Sequence, residues 1–218
     1  MDFTYLFIVL VVVFGSMVLH ELMHGLTAYW LGDNTAKEHG RLTLNPIKHI
    51  DPFMTLLLPL LLAIAGMPIF GGAKPVPFRP DRVKGGEWGA ALVGIAGPIT
   101  NFILAFMFFV AAWALGKVIV IDGNILFAGD LIANFLISGV MINLGFFAFN
   151  ILPIPPLDGS RVLYAVAPTS VQRVLEVLEG IGIWVVLAVV LLANNLLGNV
   201  LSLIINSILD LFVMLLPI

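Results

Sequence analysis

Two histidines and a glutamate near the start of the chain, His20, Glu21 and His24, form an H-E-x-x-H pattern. On a helix, residues four apart share a face, so both imidazoles can bind one ion while the glutamate lies beside it. Zinc suits these ligands, because it accepts imidazole nitrogen and a catalytic zinc keeps one position for water. Glu21 would then take a proton from that water as a general base. The pattern predicts hydrolytic chemistry at a metal site.

A catalytic zinc with two histidine ligands needs a third protein ligand, and the sequence contains no cysteine to supply it. Asp158 has the most suitable surroundings, because the prolines within Pro153–Pro156 unwind the chain before it and Gly159 would allow close approach to a ligand. Three other carboxylates are less suitable, one alone in the last apolar segment and two typical of an interfacial helix: Asp210, Glu176 and Glu179. The other histidines, His39 and His49, lie in a polar loop and are predicted to be solvated surface residues.

The composition indicates which solvent surrounds these residues. The chain is 61% hydrophobic and 11% charged, whereas soluble domains have roughly 45–50% apolar and about 25% charged residues. A soluble protein of this size cannot bury so much apolar surface and still cover its exterior with so few charges. The net charge of −3 and the lack of a dense basic run exclude nucleic-acid binding. The composition therefore predicts a membrane protein.

Apolar segments long enough to cross a bilayer need about 20 residues. The candidate segments are Phe3–Leu31, Phe53–Phe70, Gly89–Leu115, Leu131–Leu152, Ile181–Ala193 and Val200–Leu216. We expect an all-α polytopic membrane protein with about five transmembrane helices and one short re-entrant or tilted segment, 53–70. The prediction is a single domain over residues 1–218, with a core at 1–170 and a C-terminal helical pair at 181–217.

Two connecting stretches have a composition unlike that of a helix. Gly40–Pro46 alternates apolar and polar side chains, which predicts a short strand. Gly71–Pro80 is rich in proline and glycine, which predicts an extended segment. Because lipid-exposed backbone of this kind is unfavourable, we expect a small strand and extended-loop region at the membrane interface or against protein.

The ligands must meet, and this requirement constrains the topology. If 53–70 crossed the membrane fully, Asp158 would approach from the face opposite His24. If it re-enters, three loops share one face: 32–52, 71–88 and 153–180. Nine of the ten Lys and Arg residues then lie on that face, and Lys117 lies on the other. Because cytoplasmic loops carry the excess of basic residues, we expect a multi-pass plasma-membrane protein whose site is near the cytoplasmic face.

Three motifs together resemble the site-2 protease family of intramembrane zinc metalloproteases, in a minimal form without a PDZ domain. They are His20–His24, the helix start Gly97–Asn101, and an N-x-x-P-x-x-P-x-D-G motif over Asn150–Gly159. The likeness covers residues 1–170 in order and in spacing. Within the second motif, Asn101 is expected to join helices beside a small Gly-Pro pair rather than to act in catalysis.

The resemblance implies a role for each residue of the candidate site. His20, His24 and Asp158 would bind one Zn²⁺ per chain, and Glu21 would be the general base. Asn150 would hydrogen-bond to the substrate peptide or to its oxyanion. The expected activity is that of an intramembrane zinc endopeptidase, which cleaves peptide bonds in or next to transmembrane segments of membrane proteins.

The expected partners are a transmembrane protein substrate trimmed beforehand and the lipid bilayer, without nucleic acid. The substrate's identity and the oligomeric state stay open. An unwound substrate could add to the edges of 41–45 and 74–80 through main-chain hydrogen bonds. Two alternatives are a transporter or channel, since broken helices and buried ionisable groups also mark ion pathways, and a non-catalytic zinc-binding scaffold.

Overall fold

The computed structural model describes residues 3–64, 71–121, 124–127 and 129–216 of the chain, and the described part is mostly helical. Its helices are α1 (Phe3–Trp30), α2 (Thr35–Glu38), α3 (Leu58–Ile64), α4 (Gly86–Ala114), α5 (Leu131–Asn150), α6 (Gly159–Val166), α7 (Thr169–Ile181), α8 (Ile183–Leu192) and α9 (Asn194–Leu215). Short 3₁₀ turns occur at Pro46–His49 and Pro80–Arg82, and a π-helical turn at Pro52–Leu57 leads into α3. Two strands, β1 (Val118–Ile121) and β2 (Asn124–Phe127), pair antiparallel.

Local signals set the ends of the long helices. The predicted end of the first helix is confirmed: α1 stops at Trp30, two residues before Gly32, whose φ is 104°. α5 begins after Asp130, whose side chain accepts a hydrogen bond from the amide of Ala133 and so satisfies one free donor of the first turn.

In the part of the chain that the structure describes, four helices are long and apolar enough to cross a membrane, so the chain is an integral, multi-pass membrane protein. They are α1, α4, α5 and residues 195–215 of α9. The expected span at Ile181–Ala193 is shorter than predicted, because α8 has ten residues and would cover about 15 Å of roughly 30 Å of hydrocarbon. Gly182, with φ 63°, breaks the helix there, and α7 and α8 meet at 89°. The pair makes a fifth span only if it crosses as one bent unit.

α4 lies at the centre of the bundle and packs against α1, α5 and α6. Its second half forms a core with α5 and α9, where Phe109 and Phe212 are fully buried with ring centres 5.5 Å apart. Its first half carries Gly94 and Gly97, at which a β-carbon would collide with side chains of other helices. The second half of α4 therefore packs against bulky side chains, whereas the first half lets neighbouring helices approach closely.

The predicted strand at Gly40–Pro46 is wrong. Gly40 has a φ of 62°, and the amide of Thr43 donates to the carbonyl of Arg41, so the chain turns instead of extending. Asn45 then caps the next 3₁₀ turn by accepting from the amide of Ile47. The residues 71–79 form neither helix nor strand, as expected.

The structure contains a β-hairpin that the sequence reasoning did not predict, formed by β1 and β2. It follows α4, whose last residue is about 25 Å along the helix from Gly97 at 1.5 Å per residue. The hairpin therefore lies at the far end of α4 from the close-approach glycines, and the predicted strand region beside the site is not present in the described residues.

The expected re-entrant segment 53–70 is described up to residue 64, and residues 65–70 lie outside the described part. The chain resumes next to its starting point: the amide of Gly72 donates to the carbonyl of Met54 at 3.1 Å, and the hydroxyl of Thr55 donates to the carbonyl of Gly72 at 2.6 Å. A segment that crossed the bilayer would end about 30 Å from its start. These bonds support the re-entrant interpretation.

Candidate metal centre

α1 places the two histidines of the motif one turn apart on the face that packs against α4. His20, Glu21 and His24 are all buried, although several other residues of this apolar helix are exposed. The Nε2 atoms of His20 and His24 lie 3.0 Å apart, and the two rings are nearly perpendicular. The helical spacing thus brings two imidazole nitrogens to one point.

Asp158 approaches this point from the start of α6. An aspartate just before a helix commonly caps it, yet this side chain makes no capping hydrogen bond. Its Oδ2 atom instead lies 3.1 Å from Nε2 of His20 and 3.3 Å from Nε2 of His24. These three residues form the metal-ligand cluster that the described part of the chain contains.

Gly159 supports this arrangement in a different way from the predicted one. A β-carbon at Gly159 would lie 2.1 Å from the carbonyl oxygen of Ile151, so the glycine allows close packing of backbone on backbone and not approach to a ligand. The tight turn of Ile151–Asp158 can therefore fold back and place Asp158 over α1.

The outer nitrogens of both histidines have acceptors, which fixes their tautomers. Nδ1 of His24 lies 2.7 Å from the carbonyl oxygen of Val93, so it must donate. Nδ1 of His20 lies 2.5 Å from Oδ1 of Asn101. The orientation of that amide follows from its own neighbour, because Asn101 donates to Asn143, whose amide donates to the carbonyl of Gly139. Both Nδ1 atoms therefore carry hydrogens, and both Nε2 atoms present lone pairs.

These atoms fit a bound zinc ion. Two imidazole lone pairs and a carboxylate oxygen converge at about 3 Å, and Oδ2 of Asp158 is buried without a hydrogen-bond donor. Such an arrangement is repulsive without a cation among the three atoms. Tetrahedral zinc with bonds of about 2.0–2.1 Å separates its ligands by roughly 3.3 Å, close to the observed spacing.

Gly97 keeps this space open on the side of α4. A β-carbon there would lie 2.3 Å from Nε2 of His24 and 2.6 Å from Nε2 of His20, the atoms that point at the metal position. Gly97 therefore leaves room for the metal as well as for close packing of α4 on α1.

Known proteins resemble this chain in sequence. The protein-family sequence model described as "Peptidase family M50" matches residues 114–194, which include Asp158. "Putative zinc metalloprotease YwhC" of Bacillus subtilis is 41% identical over 213 residues, which are 95% of this chain and 90% of that relative. The chain belongs to peptidase family M50, the site-2 protease family.

Further relatives of this M50 protease carry similar names. "Putative zinc metalloprotease Rip2" of Mycobacterium tuberculosis is 32% identical over 186 residues, 84% of this chain and 66% of the relative. "Putative zinc metalloprotease MJ0611" of Methanocaldococcus jannaschii is 30% identical over 158 residues, 72% and 70% of the two chains. No solved structure matches the chain.

Membership of family M50 makes the chain a zinc metalloprotease, and zinc the metal that its His-His-Asp cluster would hold. This conclusion favours the protease over the transporter, channel and scaffold alternatives.

Glu21 lies beside the ligand cluster of the M50 protease and has a partner of its own. Its Oε2 atom accepts a hydrogen bond of 2.8 Å from the amide of Val76. Val76 belongs to a segment that contacts α1 at Glu21 and Gly25, and we refer to residues 74–79 as the strap. The strap therefore contacts the residue that the sequence predicts to be the general base.

Asn150 is the last residue of α5 and is half-buried. Its side-chain amide donates to the carbonyl of Phe146 at 3.0 Å, so its described bond lies within its own helix. Its role towards a substrate stays a prediction.

The less suitable carboxylates lie outside the cluster. Asp210 is exposed on α9. Glu176 accepts from the hydroxyl of Tyr164, and Glu179 forms an ion pair with Arg161.

Sequence reasoning was wrong about His49 and incomplete about the asparagines. His39 is exposed as expected, but His49 is fully buried, because its ring packs inward and its Nε2 atom donates to the carbonyl of Thr43 at 2.9 Å. Asn101 joins α4 to α5 as expected and also contacts His20. Asn143 was missed, although an amide within an apolar span is a usable signal.

Proposed function

We propose that this M50 protease hydrolyses peptide bonds in or next to transmembrane segments of membrane-protein substrates. The observation that carries the proposal is that Glu21 and two of the three ligands, His20 and His24, lie on α1, a helix of 28 residues that is apolar enough to span a membrane. The cluster lies six residues from the end of that helix at Trp30, about 9 Å at 1.5 Å per residue. A substrate bond must therefore reach this depth.

The positive-inside rule supports a cytoplasmic position for the site. Nine of the ten Lys and Arg residues lie in the loops that share a face under the re-entrant topology. The hydrogen bonds that bring Gly72 back to Met54 and Thr55 support that topology. We place the protein in the plasma membrane with its site near the cytoplasmic face.

Each residue of the site has a distinct part in the proposed reaction. His20, His24 and Asp158 hold the zinc, which when bound polarises a carbonyl and lowers the pKa of a bound water to about 7. Glu21 takes a proton from the attacking water and passes it to the leaving amine. Asn150 turns from its own helix to hydrogen-bond with the substrate peptide or its oxyanion.

The free backbone groups favour one of the two segments, 41–45 and 74–80, that were expected to bind the substrate backbone. Most of the polar backbone groups in 74–80 already have partners: the amides of Lys74, Val76 and Arg79 and the carbonyls of Lys74, Pro75, Arg79 and Pro80. In 41–45, Arg41, Thr43 and Asn45 also have backbone partners, but two alternate residues, Leu42 and Leu44, keep both their amide and their carbonyl free among the described residues. In 74–80, this holds for Phe78 alone. We therefore assign the main-chain contacts of an extended substrate to the free groups of Leu42 and Leu44.

A groove lined in part by Leu44 supports the assignment. It has a volume of about 480 Å³ and runs along α1 towards the residue before His20. Its lining is apolar: Val11, Phe14, Gly15, Val18, Leu19, Leu44 and Pro46. An apolar groove at this depth fits the helical part of a transmembrane substrate while the unwound part lies on 41–45.

The test is cleavage of a transmembrane substrate in liposomes, with the cut site mapped by mass spectrometry. Because the substrate is unidentified, it would be found by comparing membrane-protein fragments in cells that hold the wild type or Glu21→Gln. We expect fragments cut in or beside a transmembrane segment, present only with the wild type. Cleavage confined to soluble loops, or unchanged cleavage by Glu21→Gln, would contradict the proposal.

A further inference from the structure

We propose that Arg41 is a positioning residue for the catalytic base, acting through the strap. Arg41 holds the backbone of Lys74 and Pro75, and this fixes the next amide, that of Val76, as the hydrogen-bond donor to Glu21. The inference rests on the proposed role of Glu21 as general base.

The sequence of the strap leaves one donor at the decisive place. Pro75 and Pro77 flank Val76, and proline has no backbone N–H. The amide of Val76 is therefore the only backbone donor in these three residues, and it points at Oε2 of Glu21 over 2.8 Å. Val76 is buried, so water does not compete easily for this bond.

Arg41 is buried, and its guanidinium donates hydrogen bonds to backbone carbonyls. Its Nη2 atom donates to the carbonyls of Lys74 at 2.7 Å and Pro75 at 3.1 Å, and its Nη1 atom donates to that of Lys48. Within the described residues it forms no ion pair. A guanidinium is always charged, and burying it without a carboxylate is unfavourable. A neutral residue would serve ordinary loop packing at a smaller cost, so a buried guanidinium here points to a requirement for its forked donors.

The other end of the strap is anchored independently. The carboxylate of Asp33 accepts from the amide of Arg79 at 2.6 Å and from the amide and hydroxyl of Thr35. Arg41 and Asp33 therefore fix both ends, and the amide of Val76 lies between them.

The strap packs against α1 at Gly25, one turn after Glu21. A β-carbon at Gly25 would lie 3.0 Å from Val76 and 2.7 Å from Leu42, whose segment contains Arg41. Gly25 lies four residues after Glu21, on the same face of the helix. The strap and the Arg41 segment thus pack into a gap beside Glu21, which supports a role for both at this residue.

Hydrogen–deuterium exchange tests the contact without relying on activity. In a peptide that contains residues 74–78, Glu21→Ala is expected to raise the exchange rate of one amide by about tenfold or more, because a charged acceptor is lost. Glu21→Gln keeps an acceptor oxygen and is the matched control, with smaller acceleration. Unchanged exchange in Glu21→Ala would overturn the inference.

Kinetics then test whether the contact positions the base. Val76→Pro removes the amide donor, whereas Val76→Ala keeps it. Both substitutions reduce the contact that the side chain of residue 76 makes with Gly25. With the same zinc content in both, we expect kcat to be about tenfold lower in Val76→Pro than in Val76→Ala, with KM within about twofold. Arg41→Gln is expected to show the same split, and Arg41→Lys, which lacks the fork, to recover part of kcat.

The outcomes separate the inference from the proposed function. If Glu21→Gln is inactive while Val76→Pro equals Val76→Ala and Arg41→Gln keeps its kcat, the positioning role is overturned and the proposed function stands. A higher kcat in Val76→Pro would show that the strap obstructs the site, and this also overturns the inference. Retained proteolysis by Glu21→Gln would overturn the proposed function itself. Should Val76→Pro fail to fold, the Arg41 pair and the exchange measurement decide.

Discussion

The two halves of α4 perform opposite tasks within one continuous helix. The half at 86–101 omits side chains where partners approach, since Gly94 would collide with Arg161 and Gly97 with both histidine rings if either carried a β-carbon. The half at 102–114 adds bulk, and Phe109 is fully buried among rings of its own helix and α9. A metal centre is thus built by leaving space, and the core beside it by filling space.

This difference predicts which substitutions reach the zinc. Adding one methyl group in the first half should act on the metal directly, whereas removing atoms in the second half should act on stability alone. The following changes test the contrast, in order of their expected effect on zinc binding.

Gly97→Ala should have the largest effect. Its new β-carbon would occupy the space between the Nε2 atoms of His20 and His24, and α4 cannot retreat without losing its packing. We expect loss of bound zinc and of activity, measured by metal analysis of the purified protein. Gly145→Ala is the matched control in α5, where a β-carbon would meet nothing within 4 Å. Normal zinc content in Gly97→Ala would show that Gly97 does not keep the metal position open.

Asn101→Leu should have the next largest effect. It removes the acceptor that orients His20 and fixes its tautomer, and loss of such a partner typically weakens metal binding by about 10- to 100-fold. Competition with a zinc chelator measures the change. Asn143→Leu acts one step further from His20 and should weaken binding less. Equal zinc affinity in Asn101→Leu and the wild type would limit Asn101 to joining helices.

Phe109→Ala should leave zinc binding intact and lower stability. The side chain is fully buried, and truncation of a buried phenylalanine costs about 3–5 kcal/mol, mainly through the cavity left in the core. Thermal unfolding in detergent measures the loss, and metal analysis of the folded fraction checks the zinc. A selective loss of zinc without a lower melting temperature would contradict the division of α4 into two halves.

The pH dependence of stability should show the smallest effect. Burial alone would raise the pKa of Asp33, but hydrogen bonds from Thr35 and from the amide of Arg79 lower it below its ordinary value of 3.8. Because the folded-state pKa is the lower one, Asp33 stabilises the fold fully above the ordinary value and loses this contribution as the pH falls through the folded-state pKa. Asp33→Asn should therefore lose less melting temperature than the wild type between about pH 6 and pH 3. Parallel pH curves would show that these hydrogen bonds do not stabilise the strap.

Much of the site could be predicted, because its chemistry is local in sequence. The spacing of His20, Glu21 and His24 needs only helix geometry, and the prolines before Asp158 mark an irregular stretch without any tertiary information. The family resemblance then joined the two distant pieces, and the cluster of His20, His24 and Asp158 in the structure has the expected membership. Asn101 was underestimated because its contact with His20 spans 81 residues.

The parts that could not be predicted depend on long-range contacts. Alternation at Gly40–Pro46 is equally compatible with a strand or with turns, and the backbone partners of Arg41 lie up to 34 residues away. His49 has polar neighbours in the sequence, yet it is buried in the structure, where the amide of Lys74 at the start of the strap donates to the His49 carbonyl. Composition alone could not show which of these loops would be buried.

Zinc X-ray absorption on the purified wild type and Asp158→Ala tests most directly whether three side chains from α1 and the start of α6 hold the metal. For the wild type, we expect one zinc per chain with two imidazole nitrogens and oxygen ligands at about 2.0–2.1 Å. For Asp158→Ala, we expect zinc content to fall at least about tenfold, since a three-ligand site becomes a two-ligand site. Full zinc content with an unchanged absorption spectrum in Asp158→Ala would contradict the account.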